Sequence, residues 1–320
     1  MIEKIKKHKK ELYVYGGSLL AFLLIVIIAV TSLNGSPMDT SINQSANKTA
    51  INLGFAEIAW YAVFILTGIV IAAVFSFQEF KRIGWDTEIL YDGLLFAVPL
   101  AIIGSRLYYV IFDPTPNYNN FIDVINITSG GLAIHGAVIT TFIFVIFFAK
   151  WKKINFWALA DIIVVGFLIG QIIGRWGNFM NGEAHGPIIE SQFIMQILPK
   201  FIVTNMTNPV LAVTYHPTFF YESLWNFVGL VAFIIIRRQK VLKVGDLLAL
   251  YLIWYGIGRG LIIEPMRQDP LYIFGLKVNV VFSLTLFAGG GVLLLILKRI
   301  FLKDQKYYVD MLVPDENNSL

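Results

Sequence analysis

The sequence contains no cysteine in its 320 residues. That excludes a disulfide, a thiolate metal site and a cysteine nucleophile supplied by the chain. Any thiol chemistry would use a thiol brought by a substrate. Charge is scarce too. Asp, Glu, Lys and Arg make up 14% of the residues, against roughly 25% in soluble domains. Hydrophobic residues make up 57%, and the mean hydropathy is +0.70. This is the composition of an integral membrane protein. Metal-ligand spacings are missing: neither H-x-x-x-H nor H-E-x-x-H occurs, and His185 and His216 have no clustered carboxylates beside them, so no metal is expected. The glycine run G-I-G-R-G at Gly256 to Gly260 has no strand before it. It is not a dinucleotide fingerprint, and no cofactor, nucleotide or nucleic-acid partner is expected.

What the chain does have is long apolar runs. A bilayer core of about 30 Å takes roughly 20 apolar residues per helix. Eight segments qualify, at about 11–32, 57–77, 89–112, 131–150, 156–174, 218–237, 245–263 and 278–297. The expected fold is an all-α polytopic membrane protein. Five lysines among the first ten residues precede the first run, as in a signal peptide. That run is too long for a signal h-region, and no clear small-x-small cleavage site follows, so it reads as a retained helix. No fixed-period repeat is visible.

The connections alternate in character. Lys4 to Lys10, Lys81 with Arg82, Lys150 to Lys153, Arg237 to Lys243 and Lys298 to Lys306 together hold 18 of the 25 Lys and Arg residues. Lys and Arg mark the cytoplasmic side, so both termini are expected in the cytoplasm and the other connections outside. The polar stretch Asn34 to Ala50 reads as a mobile external tether. Three parts follow: a basic N-terminus, extra helix and tether over 1–56, a membrane core over 57–297, and a cytoplasmic tail over 298–320.

The densest polar stretch is G-R-W-G-N-F-M-N-G-E-A-H-G, Gly174 to Gly186. An interior helical glycine costs about 1 kcal/mol against Ala, so the four glycines here predict a helix end breaking into a loop. An ionisable group within a membrane helix costs at least about 2.5–3.5 kcal/mol near its centre and needs a partner or a function. The remaining candidates all lie towards the expected outer ends of segments. They are Trp60-Tyr61, Arg106 in G-S-R-L-Y-Y, His135 in G-G-L-A-I-H-G, and His216, Tyr221 and Glu222 in H-P-T-F-F-Y-E. Tyr255, Arg259, Glu264 and Arg267 complete the set. This predicts a catalytic or binding layer near the outer face. Asp92 and Asp161, nearer the other ends, read as structural.

On these motifs the sequence resembles the prolipoprotein diacylglyceryl transferase family, over about residues 57–297. The resemblance implies a seven-helix core, with the first helix an addition. It also implies transfer of a diacylglyceryl group from phosphatidylglycerol, drawn from the surrounding membrane lipid, to the lipobox cysteine of a prolipoprotein signal-peptide segment. The setting would be the bacterial cell membrane. Arg175, Asn178, Glu183 and Gly186 match the family signature, His135 its important histidine, and Tyr61, Tyr255 and Arg259 positions tied to lipid binding or catalysis. His135, Arg175, Arg259 and Glu183 are accordingly expected to be catalytic. Tyr61, Asn178, Gly186, Tyr255, Arg106, His216, Tyr221 and Glu222 are expected to bind substrate. One departure stands out. The family places a glutamate four residues after the arginine matching Arg259, whereas Glu264 follows by five, which on an α-helix turns it away.

The residue types suit such chemistry. Arg175 and Arg259 can each offer a two-pronged donor fork to a phosphodiester. Fixed cations stabilise charge that builds on a leaving phosphate. A cysteine thiol, with a pKa of about 8.5, is mostly protonated at neutral pH, and the imidazole of His135 could take its proton. Two other classes fit part of the pattern. A secondary transporter for an anionic solute would use broken helices and arginines, but with internal symmetry and a mid-membrane site. Another phospholipid head-group transferase would share the phosphate site and differ in its acceptor.

Overall fold

A computed structural model describes residues 9–33, 35–38, 48–54, 57–113, 118, 120–127, 130–183, 185–266, 272–273 and 275–313. Arg267, the first basic residues and most of the Asn34–Ala50 stretch lie outside the described residues. Among the described residues, eight helices are long and apolar enough to cross a membrane. We label them α1 (Lys9–Thr31), α2 (Trp60–Arg82), α3 (Glu88–Ile111), α4 (Ile134–Trp151), α5 (Phe156–Met180), α6 (Thr218–Ile236), α7 (Asp246–Met266) and α8 (Val278–Phe301). The described strands form three two-stranded antiparallel hairpins, all in connections: Thr49–Asn52 with Glu57–Ala59, Thr207–Asn208 with Val213–Thr214, and Tyr272–Ile273 with Leu276–Lys277. The molecule is thus an all-α polytopic membrane protein. It falls into two compact units, one holding the chain up to Phe75 and Ile163–Asp310, the other Ser76–Ile162 and the C-terminal end.

The first unit is built around α5. Leu168, Ile169, Ile172, Ile173, Phe179 and Met180 are buried, together with Phe64 of α2, Phe219 of α6 and Leu247 of α7. Phe179 and Phe219 stack at 4.7 Å, and Trp176 meets Phe219 edge-on at 5.4 Å. These geometries are favoured beyond simple area burial. Helix α1 joins this core: Ala29 is wholly buried, Val26 nearly so, and Tyr15 meets Phe75 at 4.7 Å. The expected mobile tether is anchored where it is described. Met38 is buried, and Thr49–Asn52 pairs with Glu57–Ala59.

The lysine-rich end of this unit is organised by Asp246, fully buried at the start of α7. It accepts from Lys298 at 3.0 Å, Arg299 at 2.7 Å and the Lys243 backbone N–H at 2.9 Å. Lys298 also donates to the Val244 carbonyl at 2.7 Å, so a nearly buried ammonium is held by charge and hydrogen bonding together. Helix α8 runs to Phe301, and the chain beyond it pairs back, Val244 N–H to the Lys306 carbonyl and Tyr308 N–H to the Leu242 carbonyl. Tyr308 is completely buried.

In the second unit α3 and α4 cross where both are smallest. A side chain at Gly104 would run into Thr140, and one at Gly136 into the Gly104 carbonyl and Tyr108. Close backbone approach at small residues is the usual way membrane helices associate when apolar burial gives no advantage over lipid. Lys152 pairs with Asp92 at the other end of the two helices. Replacing Gly104 with Val should overfill this crossing and cost about 1–3 kcal/mol. The check is a lowered thermal unfolding midpoint in detergent, partly restored when Thr140→Ala is added.

Candidate active site

Helix α5 does not end at Gly174. It continues through Arg175, Gly177 and Asn178 to Met180, so the signature is mostly helix and the expected loop begins only at Asn181. The physical reason is packing. The face at Gly177 is covered by Tyr61 of α2, which leaves no room for a side chain there. A glycine that buries its neighbour is tolerated inside a membrane helix. Arg175 and Asn178 therefore share one helical face, three residues apart.

The break comes at Gly182, whose φ of +66° lies in the left-handed region that glycine adopts without strain. Gly182 N–H donates to the Phe179 carbonyl at 3.0 Å and Glu183 N–H to the Asn178 carbonyl at 3.1 Å. This 5→2 and 6→1 pair is a Schellman cap. It folds Glu183 back over the helix end, where Asn178 and Asn181 donate to its carboxylate at 2.9 and 3.0 Å.

From there a row of polar side chains runs across three more helices. Arg175 donates to Asn178 Oδ1 at 3.4 Å and pairs with Glu222 of α6 at 2.5 Å. The other oxygen of Glu222 faces Arg259 of α7 at 3.4 Å. Arg259 also pairs with Glu264 at 2.7 Å, and Asn279 of α8 donates to Glu264 at 3.2 Å. Glu222 and Glu264 are buried, at 5% and 2% exposure. The α5–α6 register that makes the row possible is set by the adjacent residues. The Trp176 indole N–H donates to Ser223 Oγ at 3.3 Å, and Ser223 donates to the Ile172 carbonyl at 3.0 Å.

The five-residue spacing from Arg259 to Glu264 does not turn the two apart. Residues Gly258–Ile263 form a π-helical turn, whose hydrogen bonds join residues five apart rather than four. The extra residue is absorbed there, and Glu264 returns to the Arg259 face. The glycines of G-I-G-R-G serve packing. A side chain at Gly258 would strike Trp225, and those at Gly256 and Gly260 the facing π segment Ser283–Gly289 of α8.

Other expected site residues stand around this row. Tyr255 lies one turn before Arg259, between Tyr251 and Phe287. Gly186 is buried against the chain at His216: its N–H donates to the His216 carbonyl at 2.9 Å, and a side chain on it would meet His216 and Thr218. His216 Nδ1 lies 3.1 Å from Tyr221 Oη. Partial burial holds the His216 imidazole below its ordinary pKa and favours the neutral ring. His185, the histidine of the Gly174–Gly186 stretch, donates from Nδ1 to the Gly186 carbonyl at 3.0 Å. Among residues the sequence reading missed are Asn279, and Gln171, which donates to Tyr251 Oη at 3.0 Å one turn before Arg175.

His135 and Arg106 belong to the second unit. Arg106, nearly buried, donates to four backbone carbonyls: Val124 and Asp123 at 2.7 Å each, Gly130 at 3.0 Å and Gly131 at 3.1 Å. It holds the connection between α3 and α4. Ser105 adds a bond to the Ala133 carbonyl at 2.9 Å. These bonds fix the start of α4, where His135 sits exposed with its ring 5.9 Å from that of Tyr108.

Replacing Glu222 with Gln removes the charge that two guanidinium groups share. Breaking a buried pair from one side typically costs about 3–5 kcal/mol. Chemical denaturation should show a loss of that order for Glu222→Gln, and a smaller one for Asn279→Ala, which removes a single bond to Glu264.

Residues 48–296 match the family described as prolipoprotein diacylglyceryl transferase. The chain is 41% identical over 262 residues to the phosphatidylglycerol–prolipoprotein diacylglyceryl transferase of Bacillus cytotoxicus, covering 82% of this chain and 96% of that protein. A protein of the same name from Bacillus cereus is 40% identical over the same shares. One from Listeria welshimeri is 43% identical over 244 residues, 76% of this chain and 87% of the relative. The chain belongs to the prolipoprotein diacylglyceryl transferase family.

Proposed function

We propose that this protein transfers a diacylglyceryl group from phosphatidylglycerol to the cysteine thiol of a prolipoprotein. The lipobox cysteine lies at the end of a signal segment that approaches from the membrane. In this reaction the thiol sulfur forms a new bond to the glyceryl carbon. The bond from that carbon to the phosphate oxygen breaks, glycerol phosphate leaves with the bonding electrons, and the thiol proton passes to a base. A phosphate ester is already a leaving group, so no cofactor is required.

The observation that carries this reading is the pair Arg175 and Arg259, brought from different helices to one shared carboxylate. Each guanidinium has five donors. Each has two bonds or ion pairs to side chains within the row. The remaining donors suit the oxygens of one phosphodiester. Held in place beforehand by Glu222 and Glu264, the two cations need no reorganisation as charge grows on the leaving phosphate. Asn178 adds a neutral donor, Glu183 orients Asn178, and Tyr61, Tyr255, Gly186, His216 and Tyr221 line the approach of lipid and peptide. His135 is assigned as the base that takes the thiol proton. The positive-inside distribution of Lys and Arg supports cytoplasmic termini and a site on the outer side of the bacterial cell membrane. No observation favours an anionic-solute transporter.

Reconstituted in vesicles of phosphatidylglycerol, the purified protein should modify a lipobox peptide carrying Cys and leave its Ser version unmodified. Glycerol phosphate should be released in equal amount, without added metal or nucleotide. The double variant Arg175→Ala with Arg259→Ala should abolish thioether formation, and undiminished product would overturn the phosphate assignment. His135→Gln should slow turnover by about 10²–10⁴-fold, the usual range for losing a general base. Near-full turnover would make the histidine structural.

A further inference from the structure

The family match begins at residue 48, so α1 and the residues just after it lie outside the shared region. They are nevertheless seated on the signature. Phe22 meets the edge of Trp176 at 6.0 Å, next to Arg175, and Val26 and Ala29 are buried in the same core as Trp176, Phe179 and Met180. Beyond the helix, Ser36 Oγ donates to the Asn205 carbonyl at 2.7 Å and accepts from Met38 N–H at 3.2 Å. This places Pro37 against the Schellman cap. Its carbonyl occupies the space that a side chain on Gly182 would need, and the Met38 methyl lies 3.6 Å from the same point. Met38 is 5% exposed.

From these contacts we infer that α1 and Ser36–Met38 form a positioning brace for the turn Asn181–Gly182–Glu183. The cap has its own two backbone bonds, but a helix end is the part of a helix that opens most readily. A buried methionine and a carbonyl pressed on Gly182 hold it shut. Glu183 then stays on Asn178, and Asn178 stays beside Arg175. The extra helix supplies the anchor for this segment through Val26, Ala29 and Phe22. Ser36–Met38 are positioning residues and not catalytic ones, since they touch the turn and not the reacting groups. Their effect on turnover rests on the transferase reading, while their effect on the turn does not.

Two measurements separate these claims. In Ser36→Ala/Met38→Ala, amide hydrogen exchange of residues 181–183 should rise about tenfold or more, while exchange across Thr218–Ile236 stays unchanged. Met38→Leu should exchange like the wild type, and Ser36→Ala alone, too mild to prevent folding, should give a smaller local rise. In reconstituted vesicles kcat of the double variant should fall about tenfold, with KM for phosphatidylglycerol moving little, as expected when geometry and not binding is lost. Unchanged exchange at the turn, or a rise spread equally over Thr218–Ile236, would overturn the brace. If the wild type made no thioether, the transferase reading would fail and the exchange data would still decide the brace.

Discussion

A single carboxylate, that of Glu222, lies between two guanidinium groups that arrive on different helices. Removing a carboxylate from water is costly, and two cations side by side repel. Each cost is offset by the other group, so none of the three is favourable alone. Continuing outward the charges alternate, with Glu264 beyond Arg259 and Glu183 reached from Arg175 through Asn178. Such a row has little freedom to rearrange. That is the condition for cations to act on a leaving group without first being reoriented.

The rest of the first unit can be understood as what this row requires. Arg175 and Glu222 meet because Trp176 and Ser223, their immediate neighbours, lock α5 to α6. Arg259 reaches both Glu222 and Glu264 because α7 widens into a π-turn between them. That turn has space because its glycines face Trp225 of α6 and the π segment of α8. At the far end of the same helices, Asp246 holds Lys298 and Arg299, which fixes α7 against α8. The second unit solves a similar problem with different parts. Arg106 meets backbone carbonyls instead of carboxylates, and so positions the loop that leads to His135.

Much of this was legible in the sequence. All eight spans were visible as apolar runs, with ends displaced by a few residues, because roughly 20 apolar residues in a row have few alternatives to crossing a bilayer. Arg175, Glu183, Glu222 and Arg259 stood out because charge is expensive in such runs, and Asn178 because it lies in the polar stretch Gly174 to Gly186. The errors came from local rules applied where tertiary contacts prevailed. Glycine count predicted a break after Gly174, but Tyr61 covers Gly177 and the helix continues. Residue spacing turned Glu264 away, but a π-turn returned it. Asn279 and Gln171 carry no charge and sit in no distinctive motif, so nothing marked them in advance.

What the amino-acid order determined by itself was the membrane class, the number of spans and the types of group that can meet a phosphate, because each follows from hydropathy or from the cost of a buried charge. Only the tertiary structure decided which of those groups touch. Glu222 became the centre of the row, Arg106 became a loop clamp, and Met38, in a stretch read as tether, became part of the wall behind the signature turn. Pairing of side chains depends on helix register and on single-residue bulges. Those are set by contacts between segments far apart in the chain, which no local pattern records.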